Sequence, residues 1–420
     1  MERKPIKYVL TYLFFSLIVY VATYVKTDSY NMLLTILVCS IYFFFFGLGY
    51  YSISFKTVKK RSYGSNFEYS RGIGRIVLVA AVATAVVSLV NVFSFYSSIQ
   101  MIMEYITNPG KAYEYVKYVN RNNIENSGMI LISSSLVGII LTTLSFSKFI
   151  VLIFIPLYWK CLSKTVRIVG TLSLVMYIIQ AFLIGAMINI GIILFSCFPI
   201  VIFMGGKNRD SKPTTGKGKW SVALLLVGAV VLIVYFMGTR FVPINASIGE
   251  ILLAGISGLG VYISHGYVGL SKCLDLSFIP TFGATTFHGL ARTFLPSDLY
   301  NALWENSYLY RNQVESGWQA LQVWSTIFPW LASDISFLLI PFVMLLVGRF
   351  MGRVWKEAIT RRNPYAFVMM GQLMIFSFMI PANNQLFHSY GNSASVILIY
   401  FMYRLSIAKK KCYIRVRVAK

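Results

Sequence analysis

The stretch MLLTILVCSIYFFFFGLGYYSIS, residues 32–54, contains no charged side chain. A helix needs about 20 consecutive apolar residues to cross the roughly 30 Å hydrocarbon core of a bilayer. The run is apolar throughout, including the aromatic stretch Tyr42–Phe46. It therefore lacks the alternation that is typical of a barrel strand. This stretch predicts a membrane-spanning α-helix.

Runs of the same kind recur along the whole chain. Of the 420 residues, 57% are hydrophobic and only 12% are charged, whereas soluble domains carry roughly 25% charged residues. The mean hydropathy is +0.67. We therefore predict an all-α, polytopic integral membrane protein in which residues 1–420 form one membrane domain with about ten spans, nine to twelve being allowed. The predicted spans are 7–25, 32–54, 75–97, one within 128–158 beside an interfacial or re-entrant piece, two within 168–204 that turn near Gly185–Gly191, then 220–237, 335–351, 366–381 and 392–406.

The basic residues set the predicted orientation. The chain has 38 basic and 14 acidic residues, a net charge of +24, and 29 of the basic residues fall in six clusters that alternate with poorly basic loops. This is the positive-inside pattern, which predicts that both termini are cytoplasmic. The clusters are 1–8, 55–75, 158–169, 206–219, 349–362 and 404–420. Because they follow the spans, they indicate membrane topology and contact with anionic lipids rather than nucleic-acid binding.

The longest interval between strongly apolar blocks is the segment 238–336. It holds two of the three histidines, four basic residues and six acids. The charge pattern places this segment outside the cytoplasm. Within it, Ile251–Leu270 is moderately apolar and glycine-rich, and is expected to be a re-entrant or partly embedded helix.

All three histidines, His265, His288 and His388, fall in predicted outer loops. Histidine titrates near neutral pH and therefore suits a general base, although a lone histidine is more often structural. The spacing of the three matches no zinc motif, so we predict no metal and no cofactor. Asp334 lies just before a predicted span, where an acid serves either as an N-cap or as a site residue.

Three arginines lie in the same outer segment: Arg240, Arg292 and Arg311. They either anchor the interface and pair with nearby acids, or bind phosphate oxygens through the planar guanidinium fork. The aromatic residues of the segment either form an interfacial belt or stack on sugar rings. In contrast, Lys148 is the one ionisable residue predicted near the centre of a span, which disfavours an ion-coupled transporter.

Two stretches carry a resemblance to a known family. They are Tyr262-Ile-Ser-His-Gly-Tyr-Val-Gly-Leu-Ser271, followed by Phe282-Gly283, and Tyr310-Arg-Asn-Gln-Val-Glu-Ser-Gly-Trp318, followed by Trp324 and by Trp330-Leu-Ala-Ser-Asp-Ile-Ser-Phe337. Together with the large outer segment, they resemble the Wzy-type oligosaccharide repeat-unit polymerases of O-antigen and capsular polysaccharide assembly. Outside 238–337 the resemblance is one of hydropathy only.

The resemblance implies a GT-C-like, metal-independent glycosyltransferase. It would lie in the plasma (inner) membrane and move a glycan from undecaprenyl pyrophosphate onto a lipid-linked repeat unit outside the cytoplasm, beside a flippase and a chain-length regulator. The resemblance implies that His265 is the general base, with His288 and Asp334 as alternatives. It also implies that pyrophosphate is bound by Arg240, Arg292 and Arg311, and that the sugars are contacted by Tyr267, Trp318 and Trp324. A lipid-linked oligosaccharide flippase, a glycan ligase and a non-catalytic scaffold remain as alternatives.

Overall fold

The computed structural model describes residues 3–24, 31–55, 71–106, 109–125, 136–184, 187–207, 228–243 without 229 and 232, and 246–418 without 322. Every regular element in these ranges is helical. In chain order the helices are α1 (Lys4–Tyr24), α2 (Met32–Tyr51), α3 (Arg71–Phe93), α4 (Ile99–Ile106), α5 (Pro109–Glu125), α6 (Leu136–Leu144), α7 (Ser147–Tyr158), α8 (Lys164–Leu183), α9 (Met187–Lys207), α10 (Ile248–Cys273), α11 (His288–Phe294), α12 (Ser297–Glu305), α13 (Tyr308–Ser316), α14 (Ile327–Ile335), α15 (Ile340–Arg361) after a short 3₁₀ turn at Phe337–Leu339, α16 (Pro364–Met379) and α17 (Tyr390–Val418).

Eight helices in the described ranges are long and apolar enough to span a membrane. Seven of them correspond to predicted spans, including the hairpin in 168–204, which appears as α8 and α9. The predicted ninth and tenth spans are α16, which is shorter, and α17. The predicted span 220–237 and the basic loops 55–75 and 206–219 lie largely outside the described residues. This all-helical architecture is that of a multi-pass membrane protein.

The eighth candidate span is α10, which the sequence interpretation did not count. It is one unbroken helix of 26 residues, so the re-entrant alternative for Ile251–Leu270 is wrong. The glycines of α10 do not interrupt it because several of them are contact points. A methyl group on Gly255, for example, would overlap the backbone carbonyl of Val234.

The chain divides into two compact units. One comprises residues 1–65 and 260–420, and the other comprises residues 66–259. In the second unit, α3 packs along α7 and α8, and a small core of Val92, Tyr96, Val116 and Leu183 joins α3 and α8 to the short helices α4 and α5. The connection between α3 and α6 therefore contains two short helices that pack on this core.

In the first unit the closest helix pair is α2 with α15, which run in the same direction. A methyl group on Gly49 would overlap the Leu345 carbonyl, and one on Gly348 would overlap the Phe46 carbonyl. Small residues let helix backbones approach closely where lipid provides no hydrophobic drive for association. The Tyr42 hydroxyl on α2 also donates to the Phe337 carbonyl in the turn before α15 at 2.9 Å, so this pair extends to the end of the 238–336 segment.

The two ends of the first unit differ in chemistry. At one end the Arg3 guanidinium lies over the Tyr51 ring at 5.4 Å, and the Lys356 ammonium donates to the Ser54 carbonyl at 2.7 Å. At the other end Asn31 donates to the Asp275 carboxylate at 2.9 Å. Arg3 and Lys356 therefore lie at one end of the unit, and the start of the 274–336 segment lies at the other.

The last turns of α10 belong to the second of these ends. Ser264 hydrogen-bonds to Tyr24 at the end of α1, and Asp275 contacts Asn31 at the start of α2. Both partners flank the same α1–α2 connection. The Tyr267 hydroxyl also bonds Ser16 near the middle of α1, and its ring lies 5.3 Å from the Tyr20 ring. This part of α10 therefore packs along the second half of α1.

Candidate functional site

The candidate site lies where the end of α10, the short helices α11–α14 and the loop 380–389 meet. The amide of Thr326 donates to the Gly266 carbonyl at 3.0 Å, and the amide of Ile327 donates to the Ile380 carbonyl at 3.0 Å. A methyl group at Gly266 would overlap the Pro381 carbonyl oxygen. Glycine at this position therefore lets three segments touch through their backbones.

His265 is held in one tautomer by its own helix. Its Nδ1 lies 2.7 Å from the carbonyl of Val261, so Nδ1 carries the proton and donates. The Nε2 atom then keeps its lone pair and can accept a proton. The side chain is buried but not sealed, with 9% exposure.

Two aromatic rings flank this imidazole. The Trp324 ring centroid lies 6.1 Å away at a tilt of 33°, and the Tyr262 ring lies 5.8 Å away, edge to face. The two rings also contact each other at 5.4 Å. Both are half-buried, which leaves part of each ring open to a ligand beside the base.

His288 has a different environment. It is almost fully buried within an aromatic box formed by Tyr300, Trp304 and Trp330, with ring centroids at 5.8, 4.8 and 5.5 Å. Its Nδ1 is 3.1 Å from the Tyr300 hydroxyl. Burial, with smaller contributions from His388 and Arg292, lowers the pKa of His288 to about 3. A base works best when its pKa is near the working pH, so His288 is a poor reserve base.

His388 and Arg292 complete this second cluster. Burial lowers the pKa of His388 as well. Arg292 is exposed, makes no hydrogen bond or ion pair with another described residue, and acts electrostatically on His288 and Tyr300. Its guanidinium is therefore available to an anion.

The Asp334 carboxylate is fully engaged in holding a turn. One oxygen accepts from the hydroxyl of Thr281 and from the amide of Gly283, and the other accepts from the amide of Thr286 at 2.7 Å. Phe282 and Gly283 in that turn have positive φ, 50° and 89°, a conformation that glycine tolerates and other residues rarely adopt. We therefore assign Asp334 to loop positioning. The N-cap interpretation is also wrong, because Ser336 caps the following turn and Asp334 lies inside α14.

Arg311 mainly connects two loops through hydrogen bonds. Its Nη2 donates to the Ser277 carbonyl at 2.6 Å, and its Nε donates to the Asn306 carbonyl at 3.1 Å. These hydrogen bonds hold 274–281 against α13. Fewer N–H groups of Arg311 remain for pyrophosphate, so Arg311 is a weaker candidate ligand than Arg292.

The remaining predicted residues are placed as follows. Tyr267 is fully buried and hydrogen-bonds Ser16 at 2.7 Å, so the prediction that it contacts substrate conflicts with its position in the core. Trp318 packs on Gly269 and lies under the Lys272 ammonium at 5.0 Å. Arg240 belongs to the other unit, where its guanidinium stacks on Tyr113 at 4.2 Å.

The sequence interpretation overlooked the contribution of the loop 380–389. The Asn384 side chain is fully buried, donates to the Thr286 carbonyl at 2.7 Å and has no partner for its own oxygen among the described residues. The amide of Gly289 donates to the Phe387 carbonyl. The signal that could have indicated this contact is the polar run Asn383-Asn384-Gln385 between two apolar helices, because amides in such a place need partners.

Within the described residues no group of three or more His, Cys, Asp or Glu side chains could hold a metal ion. No family model, curated protein or solved structure matches this chain.

Proposed function

We propose that this protein is a membrane glycosyltransferase that polymerises oligosaccharide repeat units. It would transfer a glycan from undecaprenyl pyrophosphate to a lipid-linked acceptor outside the cytoplasm, with the flippase and chain-length regulator of the pathway as neighbours. The motifs in 262–271 and 310–337 carry the family resemblance. The observation that carries the chemistry is His265, a buried imidazole with a fixed tautomer and two aromatic rings beside it.

The proposed reaction uses His265 as the general base. The Nε2 atom accepts the proton of the acceptor hydroxyl while that oxygen attacks the anomeric carbon of the donor sugar. The bond from that carbon to the pyrophosphate oxygen breaks, and the pyrophosphate leaves with the bonding electrons. Arg292, with the remaining donors of Arg311, is the proposed ligand of the leaving group.

Trp324 and Tyr262 are proposed to hold the acceptor sugar against the base, since the apolar face of a sugar ring packs on aromatic rings. Arg240 remains a predicted pyrophosphate ligand from sequence alone. The polarity of the first unit supports the orientation, because the positive-inside rule places the end with Arg3 and Lys356 in the cytoplasm.

The test is polymerisation in vesicles that contain the purified protein and undecaprenyl pyrophosphate-linked repeat units. We expect a ladder of longer glycans, and a loss of about 10²–10⁴-fold in rate for His265→Gln, the usual contribution of a general base. Arg292→Ala should also reduce the rate, whereas Arg353→Ala, an exposed arginine on α15 outside the proposed site, should not.

The outcomes separate the competing functions. Movement of the lipid-linked unit across the vesicle membrane without a new glycosidic bond would identify a flippase. Transfer of the glycan only to an acceptor that is not a repeat unit would identify a ligase. Normal chain lengths from His265→Gln would remove this residue from the mechanism.

A further inference from the structure

The short helix α14 packs against the side of α2, well below the end of α2 that begins at Met32. The Phe328 ring on α14 lies 4.7 Å from the Tyr42 ring and 6.2 Å from the Phe43 ring. Just after α14, the Phe337 carbonyl accepts from the Tyr42 hydroxyl. A helix rises 1.5 Å per residue, so these contacts lie roughly 10–15 Å along the axis of α2 from Met32. Both ends of α14 are therefore fixed beside the first half of α2.

The turn 281–286 is attached to the last residues of α14. The amide of Thr281 donates to the Ser333 carbonyl at 3.0 Å. The Asp334 carboxylate accepts from the amides of Gly283 and Thr286, each at 2.7 Å. The turn therefore shares the depth of α14 along α2. The Asp334 carboxylate has its hydrogen-bond partners within the turn, as a charged group at such a depth in a membrane requires.

Hydrocarbon covers α2 along this whole length. The helix is a candidate span of 20 residues, which matches the roughly 30 Å core of a bilayer. Leu33 in its first turn is 84% exposed, and Leu37 one turn later is exposed as well. Apolar side chains that cover a spanning helix from its first turn face lipid chains. Apolar groups on the outside of the first unit at the depth of Tyr42 therefore lie inside the bilayer.

Phe282 projects from this turn and is 81% exposed. It has a positive φ of 50°, which is unfavourable for a phenylalanine, and three hydrogen-bond donors of the turn are spent on Asp334 to hold that conformation. Leu338 and Phe342, which follow α14 in the chain, are also exposed. We propose that Phe282 inserts into the acyl chains of the surrounding bilayer, so that the turn 281–286 is a membrane-embedded part of the segment 238–336. This inference is independent of the proposed glycosyl transfer.

The depth of residue 282 in the membrane tests the proposal. In a background without native cysteines, the full-length Phe282→Cys variant carries a nitroxide label in phosphatidylcholine vesicles. Collisions of the label with oxygen, which concentrates in hydrocarbon, are compared with collisions with a water-soluble nickel complex. Leu346→Cys, exposed on the span α15, is the reference for lipid, and Asp298→Cys, exposed on α12, is the reference for water. We expect the label at 282 to favour oxygen, as the label at 346 does.

Two substitutions test the same contact in the otherwise native chain. Asparagine adopts the left-handed backbone more readily than phenylalanine, so in water Phe282→Asn would keep or raise the Tm. In hydrocarbon its amide loses the hydrogen bonds of water, so we expect Phe282→Asn to lower the Tm in vesicles and Phe282→Leu to lower it less.

Three outcomes would overturn the proposal. The first is a Tm of Phe282→Asn at or above that of the wild type. The second is a label at 282 that meets the nickel complex as often as the label at 298. The third is a label that collides rarely with both reagents, because protein would then cover the ring.

Discussion

His265 and His288 show how the local backbone decides what an imidazole can do. His265 donates through Nδ1 to a carbonyl one turn earlier in its helix, so one nitrogen remains for an incoming proton. His288 begins a short helix and is surrounded by rings. The residue type is the same, and we propose only the first as a base.

His288 gives a pH signature that can be measured. Its pKa is about 3 in the folded protein and 6.5 in the unfolded chain. Above pH 6.5 both states are neutral. As the pH falls from 6.5 towards 3, only the unfolded chain takes up the proton, so stability decreases by at most about 1.4 kcal/mol per pH unit. We expect His288→Phe to show a smaller decrease in Tm between pH 7 and pH 5 than the wild type.

Tyr300→Phe is the matched control for that measurement, because it loses the same hydrogen bond but keeps the titrating group. Its Tm at neutral pH should decrease, while its dependence on pH should follow the wild type. If His288→Phe kept the full pH dependence, another group would be responsible.

The hydrogen bonds that Asp334 accepts from the turn 281–286 lead to a separate prediction. Asp334→Asn turns one acceptor into a donor that faces a backbone amide, which leaves a buried N–H unsatisfied at about 1–3 kcal/mol. We expect a lower Tm and a lower polymerisation rate. Asp298→Asn, on the exposed first turn of α12, should change neither. A wild-type Tm in Asp334→Asn would show that the turn 281–286 does not depend on this carboxylate.

At the scale of elements, the packing of α10 depends on individual glycines. Gly266→Ala should disrupt the junction of α10 with 326–327 and 380–381, because the added methyl group overlaps the Pro381 carbonyl. We expect a large loss of Tm and of activity. Gly260→Ala on the same helix meets nothing within 4 Å, so it should stabilise the helix by roughly 0.5–1 kcal/mol. Thermal unfolding of the two variants compares the loss of a backbone contact at Gly266 with the gain in helix propensity at Gly260. Similar Tm values would contradict the close backbone contact at Gly266.

The elements also show what the sequence could predict. The long spans were predictable because their apolar runs are continuous, and the hairpin 168–204 because two basic clusters bound it. A helix was predicted at Ile251–Leu270, but not one unbroken helix long enough to span the membrane, because its glycines suggested a re-entrant or partly embedded segment. The backbone contact at Gly266 needs a glycine and leaves the helix intact. The roles of Asp334 and Arg311 were also hidden, because their partners, Gly283 and Ser277, lie 51 and 34 residues away in the chain.

At the scale of the whole molecule, the chemical difference between the two ends of the first unit leads to a labelling prediction. In a background without native cysteines, Phe278→Cys should react with a membrane-impermeant maleimide from outside intact cells. Lys356→Cys should react only after the membrane is opened. Both positions belong to the same unit, so one experiment orients it. Labelling of both positions from one side would contradict the assignment of the two ends.

The pairing of α2 with α15 has a consequence for how the protein is made. Ser54 and Lys356, which join at the end of this pair, are 302 residues apart. At about 5–20 residues per second, translation separates the two helices by roughly 15–60 s. During that time the surface of α2 around Gly49, which α15 later covers, is open to lipid or to an insertion chaperone. A ribosome that stalls before α15 would release a chain in which this surface of α2 stays uncovered. Membrane quality control would then have an exposed surface to recognise.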